Sequence, residues 1–397
     1  MKVSYKEALE KLSQISNMCE DVVAKPLLSS LGFVLSEDLF CIRNLPPYSN
    51  SALDGYAVKY EDRGKKVKIK EEVLFAGVVT KETLKDGECF KIMTGAKIPD
   101  GADTIVRFEN TKEENGYILI PENIKQGDAF RVKGEECKIG NLLIKKGIKI
   151  NASHIALLSS QGINDVNVYK KAKVLVLSTG NELKEPCEKA NEDELYNTNA
   201  YSIISLLKTF DIEADYGGIV KDNIEDIAKT FENAKSYDVI LSSGGVSAGE
   251  ADFTKEALKI NGFSPFFTSI NLKPGKPTIA GLMGKTLIIS LPGNPLAAFL
   301  NTYTLAIPAI KVINKESSPF HTSIEAKNAK EFKVNSGRTN IVLGFYENGK
   351  FSVTDNGKIS SGMVEPLLRS NAIAVLDENV EKIEESEDIG IFIFPFI

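Results

Sequence analysis

Residues 238–252, DVILSSGGVSAGEAD, decide the reading of the fold. An apolar run with strand character passes directly into a glycine-rich turn. Gly244 and Gly245 allow the chain to reverse sharply and present backbone N–H groups, while Ser242, Ser243 and Ser247 add hydroxyls. The carboxyl end of such a strand is where open parallel sheets place their ligands. Taken alone, Gly-Gly after a strand is more often a plain turn than an oxyanion cradle. Two further segments change the balance, because STGNEL (178–183) and LPGNP (291–295) also follow strand-like runs in the same region.

Outward from this stretch, strands and helices alternate between Lys173 and about Val312. KVLVLS, a helix near 199–210, EADYGGIV, a helix over 222–234, DVILSS, a helix over 252–260, TLIISLPG and a helix after Pro295 follow in order. This alternation predicts a doubly wound, mostly parallel sheet. Asp222 and Asn199 stand at expected helix N-caps, and Pro295 suits a first helical turn. Residues 45–140 instead show short runs broken by Gly, Pro and Asp, which read as a β-rich unit, and alternation returns after Pro319 as a terminal barrel or sandwich. Ser4 and Glu7 form a capping box that opens an amphipathic N-terminal helix.

Composition narrows the function classes. The 397 residues are 43% hydrophobic and 26% charged, an ordinary globular balance for two to four domains. Apolar runs fall short of a membrane span and the first residues lack a signal-peptide core, so a cytoplasmic protein without membrane contact is expected. The net charge of −6 argues against nucleic acid as a partner but permits a local cationic pocket, for which Lys273, Lys276 and Arg338 are available. Five cysteines without CxxC spacing support neither a disulfide framework nor a zinc site. Only two histidines, His154 and His321, are present, which removes His-based metal sites and Ser-His-Asp triads.

Four loops carry chemistry-bearing residues. PPYSNSALDGYAV (46–58) exposes Asp54 on an Asp-Gly turn, for which a turn-capping role stands beside a catalytic one. KIMTGAKIPDGADTIV (91–106) offers Thr94 at a strand end, and RVKGEECKIG offers Glu135 and Glu136 beside Gly134, each of which also reads as turn chemistry. KPGKP (273–277) holds two lysines on a stiff loop, where they repel unless an anion lies between them or water solvates them.

Together, PPYSNSALDGYAV, KIMTGAKIPDGAD, RVKGEE, VLVLSTGNEL, LYNTNAYSI, DVILSSGGVSAGEADFT, LKPGKP, LPGNPLAAF, NSGRTN and SSGM resemble, in the same order, the molybdopterin molybdenumtransferase family, which includes bacterial MoeA and the E domain of gephyrin. The resemblance implies an α/β multidomain chain: an elongated domain from 1–44 and 141–172, an inserted β-rich domain over 45–140, a molybdopterin-binding α/β domain over 173–314 and a C-terminal β-barrel over 315–397. It implies a homodimer with its site between subunits, and a reaction joining molybdate to adenylylated molybdopterin with release of AMP. Magnesium is the implied cofactor, suited to carboxylate and phosphate oxygens. Transient contacts with molybdopterin adenylyltransferase and with acceptor enzymes are implied as well.

By the same resemblance, Asp54, Glu182, Asp238 and Asp252 become metal or substrate ligands, with Thr94 contributing a hydroxyl. Lys273, Lys276, Arg338 and Ser361 become oxyanion binders. Ser243, Gly244, Gly245 and Ser247 line a pterin-phosphate pocket continued by Asn199, Pro292 and Gly293. Glu136 replaces the family's usual aspartate, which retains charge, alters reach and favours a water-bridged metal contact over a direct one. Asn197 likewise replaces an acidic residue. Two rival readings share the α/β unit: a molybdopterin adenylyltransferase, and a scaffold that binds without turnover.

Overall fold

A computed structural model describes residues 1–18, 20–245 and 253–395. Its central sheet has six strands in the order Ala214–Val220, Val174–Thr179, Val239–Ser243, Thr286–Leu291, Ile279–Met283, Phe263–Phe267. The first four are mutually parallel, and Ile279–Met283 alone runs against its two neighbours, giving the expected mostly parallel sheet. The three inner parallel strands, Val174–Thr179, Val239–Ser243 and Thr286–Leu291, are buried along their whole length because both faces are covered. Val174, Val176, Val239 and Leu241 face one core with the Thr198–Lys208 and Pro295–Asn301 helices. Leu175, Leu177 and Ile240 face the other, against Ile227 and Phe231 of the Ile224–Asn233 helix and Leu258 of the Phe253–Ile260 helix. Each such buried side chain contributes about 1.5–3 kcal/mol, which outweighs weak helix propensity in these segments.

Register puts the three motif-bearing turns side by side. Ser178 pairs with Ser243, and Ser243 pairs with Leu291. The turns beginning at Gly180, Gly244 and Pro292 therefore leave adjacent strands at the same edge of the sheet.

Two cap assignments are corrected. The caps are Asn197 and Asn223, whose side chains accept from Ala200 N and Asp226 N, so Asn199 lies inside its helix and Asp222 precedes its own. The Ser4–Glu7 capping box of the first helix is present. That helix was expected with the elongated unit, yet Val3, Ala8, Leu12 and Ile15 are buried in the α/β core, and Lys2–Val3 pairs with Ser269–Ile270. Apolar helix faces bury wherever the nearest partner surface lies, which local sequence does not specify.

Before the α/β unit, Val22–Pro26 pairs with Asp165–Tyr169, and Leu39–Phe40 with Leu142–Ile144. Between them lies a six-stranded sheet in the order Thr104–Arg107, Gly55–Val58, Glu88–Ile92, Lys66–Leu74, Tyr117–Leu119, Glu113–Glu114. After it, five strands close on themselves: Thr339–Glu347, Lys350–Val353, Ile324–Asn328, Asp388–Ile393 and Ala372–Leu376, the last pairing back to the first. This closed barrel resolves the barrel-or-sandwich alternative. Leu272–Lys273 adds to the barrel in parallel, Leu272 opposite Thr339 and Lys273 opposite Asn340. Pro295–Ile313 is long and apolar enough to cross a membrane, but it is 94% buried within the protein.

Candidate functional site

At the strand ends, one side chain ties the turns together. Asn199 Nδ2 donates to Ser243 Oγ at 2.7 Å and to the Gly293 carbonyl at 2.8 Å. Ser243 Oγ in turn donates to the Pro292 carbonyl at 3.1 Å. Gly244 has φ +99°, and a Cβ there would lie 2.3 Å from the Thr179 carbonyl oxygen, so only glycine fits. Beneath the turn, Thr254 Oγ1, Thr179 Oγ1 and Asp222 Oδ1 all lie within 3.4 Å of the point where a Gly245 Cβ would sit. Both threonines are buried, and their hydroxyls have no hydrogen-bond partner among the described residues.

The helix that carries Asn199 is itself anchored. Its cap Asn197 accepts from Ser178 Oγ at 2.8 Å and donates to Tyr216 Oη at 2.7 Å. Tyr216 donates onward to Glu185, which also accepts from Tyr201 at 3.1 Å. Burial and the Glu185 carboxylate push the Tyr216 phenol well above its usual range, so it remains a protonated donor. The amide at position 197 thus joins a phenol–carboxylate relay that an aspartate there would repel.

Beside the Pro292 turn opens a cavity of about 640 Å³ between the α/β unit and the barrel. Lys273, Lys276, Arg338, Asn294 and Ser361 line it, together with Pro292 itself. Asn294 Nδ2 donates to Ser361 Oγ at 2.8 Å, and Leu296 N donates to the Ser361 carbonyl at 3.1 Å, which latches the SSGM segment to the start of the Pro295–Asn301 helix. Among the described residues, neither lysine forms an ion pair with a carboxylate. A pocket lined by Lys273, Lys276 and Arg338, none of them paired with a carboxylate among the described residues, favours an anion.

In the inserted sheet, Asp54 and Thr94 meet. Asp54 Oδ1 accepts from Thr94 N at 2.7 Å and from Thr94 Oγ1 at 2.8 Å. These two bonds, the backbone one foremost, hold the exposed carboxyl below the ordinary aspartate range. Its second oxygen has no protein donor among the described residues. Glu135 is bound by Arg131 at 2.7 Å, and Glu136 lies 3.8 Å from the same guanidinium.

With this geometry in place, known proteins give a consistent comparison. Residues 3–162 match the profile described as MoeA N-terminal region (domain I and II), 175–312 the probable molybdopterin binding domain, and 325–394 the MoeA C-terminal region (domain IV). The molybdopterin molybdenumtransferase of Haemophilus influenzae is 33% identical over 368 residues, 90% of each chain. The chain belongs to the molybdopterin molybdenumtransferase family. The Nostoc enzyme of that name is 30% identical over 95% of this chain and 89% of its own. The crystal structure of the molybdopterin biosynthesis MoeA protein from Pyrococcus horikoshii OT3 superposes with a TM-score of 0.86 at 29% identity, covering 99% of this chain and 100% of that one.

Measured against the residues expected for a molybdenumtransferase, the structure groups most of them. Asn199, Ser243, Gly244, Gly245, Pro292 and Gly293 form one cluster, and Lys273, Lys276, Arg338 and Ser361 another. Asp54 and Thr94 form a third. Glu182 is exposed and folds its carboxylate back to within 2.8 Å of a Cβ position on Gly180, at the strand-end edge. Ser247 and Asp252 lie outside the described residues.

Asp238 stands apart from these clusters. It precedes the Val239–Ser243 strand at the opposite edge of the sheet, roughly 20 Å from Gly244 by strand rise. There Oδ2 accepts from Lys173 N at 2.8 Å, which ties it to the entry of the strand. Sequence reading missed Thr179 and Thr254 and took Asp222 for a cap. Thr179 closes the strand of the STGNEL motif, a position that was available as a signal. Thr254 and Asp222 converge only through tertiary packing.

Proposed function

We propose that this chain joins molybdate to adenylylated molybdopterin, releasing AMP and forming the molybdenum cofactor in a Mg²⁺-dependent step. It is a transferase of molybdenum cofactor biosynthesis. The single observation that carries the detailed reading is the shared Pro292 turn. Its carbonyl closes the Ser243 cluster while the same residue lines the lysine cavity, so a phosphate-bearing pterin and a small oxyanion would meet across one turn. Holding two reactants in fixed geometry removes much of the entropic barrier to their reaction.

Among the described residues, no three His, Cys, Asp or Glu side chains cluster for a metal. Mg²⁺ keeps several waters and uses one or two carboxylates plus substrate phosphates, a demand that isolated exposed carboxylates can meet. Asp54, with its free oxygen, and exposed Glu182 would hold it, and Glu136 would contribute through water. The ion supplies charge neutralisation at the phosphates when bound.

The reading includes a cytoplasmic homodimer, in which Asp54 and Thr94 of one protomer face Lys273 and Lys276 of its partner. The exposed apolar residues Leu28 (81%), Leu31, Phe40 and Ile42 (60%) on the elongated unit support an interface there. Because the substrate is an adenylylated pterin and the product a loaded cofactor, an adenylyltransferase must supply one and acceptor enzymes consume the other.

Incubation with adenylylated molybdopterin, Mg²⁺ and molybdate tests the function. AMP and metal-bound pterin should appear in equal amounts. Pyrophosphate release from ATP would identify an adenylyltransferase instead, and pterin binding without turnover a scaffold.

A further inference from the structure

The loop that carries Lys273 and Lys276 is fastened from below by one wholly buried amide. Asn301, at the end of the Pro295–Asn301 helix, has no exposed surface. Its Nδ2 donates to the Gly275 carbonyl at 3.2 Å and to Thr278 Oγ1 at 2.6 Å. Thr278 Oγ1 and Thr278 N also donate to the Gly275 carbonyl, at 2.8 and 3.2 Å. One carbonyl between the two lysines therefore takes three donors. Gly275 has φ +116°, and a Cβ there would lie 2.1 Å from Asn301 Nδ2, so glycine is required for the amide to reach. Ile270 N donates to the Lys276 carbonyl at 3.0 Å, which fixes the loop's far side.

The helix departs from regularity at this point. Thr302–Ala306 forms a π turn immediately after Asn301. Such turns insert an extra residue, redirect neighbouring side chains and recur at functional sites. Two ammonium groups three residues apart repel one another, and a mobile loop would splay them into solvent. A buried clamp holds both on the cavity wall at no reorganisation cost when an anion arrives.

We infer that Asn301 is a positioning residue for oxyanion binding, acting with Thr278 to hold the Lys273–Lys276 loop in its anion-ready shape. The inference rests on the proposed use of that cavity for molybdate. The Asn301 side chain touches no substrate and sets where the two cations stand.

The test is calorimetric titration of the full-length protein with sodium molybdate, alongside steady-state kinetics in molybdate. Asn301→Leu and Thr278→Val should each weaken molybdate binding about tenfold and raise its half-saturating concentration in step, with kcat within about twofold, a size typical of lost bonds to a charged site. Thr278→Ser keeps the hydroxyl and should bind as the unsubstituted protein does. Thr278→Val leaves the helix intact and decides the matter should Asn301→Leu fail to fold. Normal molybdate affinity in folded Thr278→Val overturns the inference alone. Failure of the unsubstituted protein to bind molybdate overturns the anion reading of the cavity, and the inference with it.

Discussion

Asn199 and Ser243 are joined by a 2.7 Å hydrogen bond that couples the Thr198–Lys208 helix to the end of the Val239–Ser243 strand. The same amide reaches the Gly293 carbonyl, so it spans two turns that leave neighbouring strands. Replacing Asn199 by Ala removes both bonds while leaving the cap at Asn197 untouched. The expected outcome is a stability loss of about 1–2 kcal/mol, the cost of two partly exposed hydrogen bonds. Affinity for molybdopterin should fall more than proportionally, because the Ser243 and Pro292 turns lose their common tie. Equilibrium unfolding and pterin titration measure the two effects separately; loss of stability with unchanged pterin affinity would confine Asn199 to a structural role.

Asp54→Ala should abolish AMP release at little cost to the unfolding midpoint, since the carboxylate is exposed and water can replace its two bonds to Thr94. Turnover at the unsubstituted rate would return Asp54 to a turn cap.

Thr94→Val gives a finer test of the same pair. The Asp54 carboxyl is depressed by the Thr94 N–H and then by its hydroxyl. Removing the hydroxyl should move that pKa upward toward the ordinary aspartate range. If the ionised carboxylate is the working form, activity is present above the pKa and lost as pH falls through it. The acid limb of the pH–rate profile should therefore move to higher pH in the variant. An acid limb that does not move would assign it to another group.

The parallel sheet was legible because unbroken apolar runs such as VLVLS and VILSS must be covered on both faces, and each ended in glycine or serine chemistry. Register then followed, and it aligned three turns that are far apart in sequence. The place of Asp238 was not legible from the motif alone, because strand direction decides it; five strand residues carry it to the other edge. Asn301 was silent for a different reason. A polar residue inside an apolar helix reads as a flaw in the pattern until the lysine loop folds onto it. Helix caps slipped by one or two residues because Asn197, Asn199, Asp222 and Asn223 are all competent caps, and only packing selects among them.

His321 predicts a pH dependence of stability. Its ring stacks on Tyr303 with centroids 4.0 Å apart, and Nε2 donates to the Tyr303 carbonyl at 2.7 Å. Burial, reinforced by the Lys311 charge, pushes its pKa down to about 4, against the opposing pull of the carbonyl. The neutral ring is thus favoured in the folded chain. Its contribution is fully present above about pH 6.5 and is lost as pH falls through that value toward 4. The shift corresponds to about 3 kcal/mol in total, of which about 2 kcal/mol is gone by pH 5. His321→Gln keeps a donor for the carbonyl but does not titrate. Urea unfolding at pH 7.5 and pH 5 should show a smaller drop in the variant by about that amount; equal drops would mean that the ring protonates as readily in the folded chain as in the unfolded one.

The last prediction concerns how many chains build one site. Asp54 and Thr94 sit in a sheet completed by its own strands and core, while Lys273 and Lys276 line a cavity between two other units. If each active site takes the first pair from one protomer and the second from its partner, the lesions complement. Asp54→Ala protein and Lys273→Ala/Lys276→Ala protein are each expected to be inactive. A mixed dimer then has one cleft bearing both lesions and one bearing neither. Under random exchange about half of the dimers are mixed, so about a quarter of all clefts should be intact, and activity should recover to about that fraction. Exchange is verified independently by differently tagged chains that co-purify. Recovery near a quarter supports the shared site, whereas silence after proven exchange places the whole constellation within one chain.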